Sequence, residues 1–167
     1  MKRMFVVAVL MVACITLAIA AGWSATATQS VTISATVAAK AKLTLSAATV
    51  TFPDADPDAT PSIGAAENPV TATVKATTGS ASTVTLTVQA GGANLVSGTD
   101  QIAISNVTWT ASGAGFVAGT MNTTAQSAGS WTGSGSRSGT FSYFLANSWA
   151  YPKGSYTQTA VYTLTAP

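Results

Sequence analysis

The sequence predicts an all-β fold, a two-layer antiparallel sandwich, and three observations predict it. Apolar residues recur at every second position in short blocks, Thr, Ser and Val dominate those blocks, and turn-forming residues separate them. Period-two alternation places the apolar side chains on one face of a strand. β-Branched side chains lose rotamer freedom against a helical turn and so favour strands. Seven or more such blocks in one domain favour two stacked sheets over a single open one, with no helix longer than a turn.

The first segment lies outside that domain. Lys2 and Arg3 precede an apolar run from Met4 to Ala21, which is the layout of a secretory signal. Such a run is about long enough to cross a bilayer, but Ala25 and Ala27 supply the small-x-small pattern that a signal peptidase needs. Ala18 and Ala20 form a second candidate; cleavage is expected after Ala27. Met11-Val12-Ala13-Cys14 reads as a rival lipoprotein box, although the apolar run continues well past Cys14 where a lipobox closes it. The expected organisation is a signal peptide over 1–27, an N-terminal strand or donor-strand segment over 28–39, and a β-sandwich over 40–167. The expected location is extracellular or at the cell surface, with membrane contact only through the signal peptide.

Removing the signal takes Lys2 and Arg3 with it, so Lys40, Lys42, Lys75, Arg137 and Lys153 balance five acids. Without a basic cluster to track phosphates, no nucleic-acid partner is expected. The processed chain holds no cysteine, so packing and strand pairing alone must stabilise it.

The predicted strands follow in order. Val31, Ile33, Ala35 and Val37 share one face, then come Leu43 with Leu45, Val50 with Phe52, Val70 to Val74, and Val84 to Val88. Further blocks run Ile102 to Ile104, Val107 to Ala111, Phe116 to Met121, Phe141 to Leu145 and Tyr156 to Leu164. The proline- and aspartate-rich stretch from Pro53 to Pro69 is a long surface connection, and Gln126 to Gly139, rich in Gly and Ser, is either a loop or a weak edge strand.

Catalytic arrangements fail on chemistry. With no histidine and no cysteine after processing, neither a Ser-His-Asp triad, a Cys-His pair nor an ordinary zinc site can be assembled. The chain has no Gly-x-Ser-x-Gly elbow and no phosphate-binding glycine loop, so a non-enzyme without cofactors is expected. Asp54, Asp56 and Asp58 alternate as calcium ligands do. Ala59 stands where an EF-hand loop needs glycine, however, and a turn whose aspartates cap their own backbone is the simpler reading. Trp131, Trp149 and Tyr151 fall in or beside predicted loops, where exposed rings stack on sugars or seat in a partner; the competing reading is that they close the ends of the sandwich. Asn106-Val107-Thr108 and Asn122-Thr123-Thr124 match the glycosylation pattern by chance.

At the C-terminus, Tyr151-Pro152-Lys153-Gly154-Ser155-Tyr156-Thr157-Gln158-Thr159 and the alternating Ala160 to Leu164 resemble the closing strand of spore coat protein U and archaic chaperone-usher fimbrial subunits. Val70 to Val88 resembles an inner hairpin of that family, and Phe52-Pro53-Asp54 falls at its Phe-Gly turn. The family commonly carries a disulfide between its early strands; here Lys42 and Lys75 stand near those positions. The resemblance implies a structural subunit of a fimbria, a pilus-like or coat assembly active in cell adhesion. It implies an immunoglobulin-like sandwich short of one strand, completed by a neighbour's N-terminal segment, with self-association or other surface subunits, a periplasmic chaperone and an usher as partners. Val31, Ile33, Ala35 and Val37 are then the donor face; the alternative is that they form the first strand of their own domain. Gly154-Ser155-Tyr156 through Pro167 is also similar to the ending of WxL surface domains, with Tyr162 where that motif has tryptophan. That second resemblance implies a cell-wall or carbohydrate-binding surface module.

Overall fold

The computed structural model describes residues 25–167, so the expected signal peptide, apart from its last three residues, and Cys14 lie outside the described residues. The chain divides into two units, Met1–Ala35 and Thr36–Pro167. In the first, residues 25–35 form no helix or strand and are exposed.

The second unit is all-β and antiparallel. Its strands are β1 (Lys40–Leu45), β2 (Ser62–Gly64), β3 (Val70–Thr77), β4 (Thr83–Ala90), β5 (Asn94–Ser97), β6 (Asp100–Ala103), β7 (Val107–Ser112), β8 (Gly119–Thr120), β9 (Gln126–Thr132), β10 (Gly135–Ala146) and β11 (Ala160–Thr165). One sheet runs β1-β3-β10-β7-β8, with β2 on the far end of β10, and a second runs β11-β4-β9. β5 and β6 form a separate hairpin around Gly98, whose φ of 59° suits glycine alone without strain. Among the described residues the only helical piece is the 3-10 turn Ile104–Asn106.

Alternation explains the layering. In β3, Val70, Ala72 and Val74 point inward while Thr71, Thr73 and Lys75 point out; in β4, Val84, Leu86, Val88 and Ala90 do the same against Thr83, Thr85, Thr87 and Gln89. The two inward faces share one core that includes Trp109, Phe141 and Tyr143 from the first sheet and Leu86, Ala128 and Trp131 from the second. Leu86 is 0% exposed, so truncation to alanine is expected to cost about 2–5 kcal/mol. Rings tie the layers together: Phe141 stacks on Tyr162 at 5.7 Å, and Phe116 meets Trp131 edge-on at 4.9 Å. A Cβ at Gly139 would overlap the Phe116 ring, which is why the centre of β10 carries glycine. Asn68 completes the β10 ladder with its side chain, accepting from the Tyr143 amide at 2.8 Å and donating to the Tyr143 carbonyl at 2.7 Å.

Several expected elements differ. Gln126 to Gly139 is regular strand, the whole of β9 and the start of β10, because Ala128 and Trp131 supply inward side chains despite the Gly/Ser composition. A register shift opposite Leu86 and Thr87 turns both Ala128 and Gly129 inward. Phe116 to Met121 is mostly loop, with only the two-residue β8 and an isolated bridge from Phe116 to Gly129, since Gly113 and Gly115 bend the chain at φ 108° and 81°. Val50 and Phe52 are half-buried without strand pairing, and the last strand begins at Ala160 rather than Tyr156. Val31 to Val37 forms no strand at all.

Candidate functional site

The two sheets do not close along one side. Among the described residues β1 pairs only with β3 and β11 only with β4, yet β1 and β11 run beside each other without a ladder between them. Each therefore presents a row of peptide groups with no strand partner. Leu43 and Leu45 on β1, and Tyr162 and Leu164 on β11, turn toward the core but stay half-buried, whereas their counterparts Val74 and Leu86 on the inner strands are 1% and 0% exposed. The seam is thus rimmed with apolar side chains that their own sheets leave partly uncovered.

At one end the seam opens into a cavity of about 1350 Å³. Its β1 side continues through Ala47, Val50 and Phe52, its β11 side through Tyr156 to Ala160, and Ile63, Val70, Ile104, Val107 and Met121 form an apolar floor. The walls are held by local bonds. Tyr156 Oη donates to the Pro152 carbonyl at 2.6 Å, Gln158 Nε2 donates to the Asn94 carbonyl at 2.7 Å, and Val96 and Thr157 exchange backbone bonds. Inside, the Tyr143 and Tyr162 hydroxyls pair at 2.7 Å across the two sheets. Burial raises both phenols above the ordinary tyrosine value, Tyr162 the more strongly. Burial, then the nearby Asp100 carboxylate, raises Tyr156 as well. The Thr51 amide donates to Glu67 at 2.7 Å and holds that carboxylate below its usual range.

The residues singled out from sequence scatter. Val31, Ile33 and Val37 are 82%, 93% and 77% exposed, and Ala35 is exposed with them. Trp131, expected beside a loop, is instead an inward residue of β9 at 8% exposure, its indole donating to the Ala114 carbonyl, and no ligand can stack on it. Trp149 is 70% exposed, with its indole nitrogen donating to Asp58 at 3.1 Å. Tyr151 is half-buried and donates to the Ala146 carbonyl. Asp56 accepts from the Asp58 amide at 2.9 Å, the backbone-capping geometry of an Asx turn, while Asp54 is exposed. Among the described residues no three acidic, histidine or cysteine side chains converge as a metal site would require.

Sequence reasoning missed the rims of the seam. Leu43, Leu45, Tyr162 and Leu164 read as ordinary strand residues, and only the tertiary pairing makes β1 and β11 edges. What this arrangement can do is accept an extended segment, with main-chain bonds along an edge and alternate side chains pointing into the seam. No family model matches the chain, and no curated protein is found similar to it.

Proposed function

We propose that the chain is an exported, non-catalytic structural subunit of a bacterial surface assembly, fimbria-like or coat-like. In this reading the β-sandwich is immunoglobulin-like but short of one strand, and residues 28–39 of another copy fill the seam between β1 and β11. The observation that carries it is the match of two unsatisfied surfaces: an unladdered apolar seam, and a separate segment whose Val31, Ile33 and Val37 alternate while exposed at 82%, 93% and 77%. Each such side chain, once inserted, contributes roughly 1.5–3 kcal/mol. A charge at Ile33 would remove one of them and strand an unpaired ion in a dry site.

Native electrophoresis of the exported protein and of Ile33→Asp tests this. Multimers are expected for the unaltered chain and loss of multimers for the variant. Because Ile33 is 93% exposed in the single chain, the variant's unfolding midpoint should match that of the parent's monomeric fraction. A monomeric parent, or a variant that unfolds, would overturn the reading. Intact mass should begin at Thr28 without lipid.

Trp149 favours a second reading, a cell-wall or carbohydrate-binding module. Its exposed ring, held by Asp58, offers a face on which a sugar stacks. Sedimentation with purified peptidoglycan, lost in Trp149→Ala, would support it.

A further inference from the structure

The charged side chains of the sandwich are sorted by end. β1 runs from Lys40 toward Leu45, and the register places Lys40 opposite Thr77 and Lys42 opposite Lys75, with Ser136 beyond. Lys40, Lys42 and Lys75 are exposed on one outer face near the start of β1, and Arg137 follows Ser136 on β10. The same end is identified by Thr78, whose amide reaches Ser134 and whose hydroxyl meets the Pro167 carbonyl. No acidic side chain lies there, and a carboxylate at Pro167 would still be outnumbered.

All five acids lie at the opposite end. Asp54, Asp56 and Asp58 follow the far end of β1, and Glu67 bonds Thr51 in the same connection. Asp100 sits in the β5–β6 hairpin, near enough to Tyr156 to raise its phenol. Lys153 is the one cation among them, and it lines the cavity together with Asp54 and Asp56. A near-neutral domain therefore carries two poles. Lys42 and Lys75 stand directly opposite each other, a like-charge pairing that weakens a sheet unless an opposing charge covers it.

The position of residues 28–39 gives the poles a meaning. That segment leads into Lys40, so it leaves the sandwich from the cationic end, whereas the cavity opens at the anionic end. We propose that successive copies meet pole to pole, the Lys40, Lys42 and Lys75 end of the donor seating on the Asp54, Asp56, Asp58 and Asp100 end of the acceptor. This rests on the donor-strand reading and adds the polarity of assembly. A segment entering from the anionic end runs antiparallel to β11 and generates an open head-to-tail chain. Entry from the cationic end would juxtapose like charges and close a reciprocal dimer. The attraction acts mainly on the rate of encounter and is screened by salt.

Polymer growth of the exported chain, followed by light scattering across NaCl concentrations, tests this with two variants. Lys42→Glu/Lys75→Glu and Asp54→Lys/Asp100→Lys alter side chains with no hydrogen bonds in the described residues. Each alone should grow roughly tenfold more slowly at low salt, with the deficit closing near 1 M where the Debye length is about 3 Å. Mixed, they should recover the parent's rate, because each pole then faces its opposite. Variants that grow like the parent at low salt, a mixture no faster than either alone, or a parent that stops at a closed dimer would overturn pole-to-pole assembly and leave strand donation standing. A parent that is monomeric at every salt concentration would overturn both.

Discussion

Lys42→Cys/Lys75→Cys should form a disulfide spontaneously. The two residues are Cα partners in the antiparallel β1–β3 ladder, both exposed on the outer face, so their β-carbons stand within about 4.5–5.5 Å of each other. A disulfide spans about 3.5–4.5 Å between β-carbons, within reach of a small local adjustment. Closing a loop of roughly 33 residues restricts the unfolded chain by about 3–4 kcal/mol. In a domain of this size that corresponds to a rise of roughly 10–15 °C in Tm. Replacing two opposed lysines also removes a repulsion, so the reduced variant should be no less stable than the parent. Oxidation with diamide, gel mobility with and without dithiothreitol, and thermal melting of both forms read the outcome. Cys14, the chain's only cysteine, leaves with the expected signal, so no other thiol competes. Failure to cross-link in the folded state, or an oxidised form that melts below the reduced one, would refute the β1–β3 register on which the seam is built. Because the cross-link lies on the outer face, the oxidised variant should still form multimers, though more slowly at low salt because two of the donor pole's cations are gone.

The paired phenols give two further expectations. Tyr162→Phe leaves the Tyr143 hydroxyl without its partner and should cost about 1–3 kcal/mol in urea unfolding, while the double change to phenylalanine should recover most of that. Both folded phenols titrate above the unfolded value near 10, so the unfolded chain releases protons first as pH rises. Their contribution is complete below pH 10 and is lost above it, and stability measured from about pH 9 to 11.5 should fall more steeply in the parent than in the double phenylalanine variant.

The core strands were legible because burial on one face writes itself into the sequence: the inward valines of β3 and β4 and the rings of β7 and β10 stand at the positions that alternation assigns. β9 was hard to read for the opposite reason. Its glycines and serines show no apolar period, and its inward contribution rests on Ala128 and Trp131, offset by the register shift opposite Leu86. Val31 to Val37 exposes the limit of local patterning. It alternates as regularly as β3, yet it stands exposed, since a pattern specifies a face but not what covers it. The seam was invisible at that level because Leu43 and Leu164 are far apart in the chain and meet only through topology.

The two edges of the seam differ in how they guard against the wrong strand. β1 carries Lys40 and Lys42, so the β1 edges of two copies would crowd like charge if they paired, which is how natural sheets discourage edge-to-edge aggregation, while the uncharged residues 28–39 meet no such barrier. Ala160 to Thr165 has no charge and no proline, and its outward Val161 is 56% exposed. β11 is therefore the sticky edge of an unassembled molecule. Two copies pairing through β11 would consume the site without extending anything, so the yield of useful assembly depends on how briefly that strand stays bare after the protein folds.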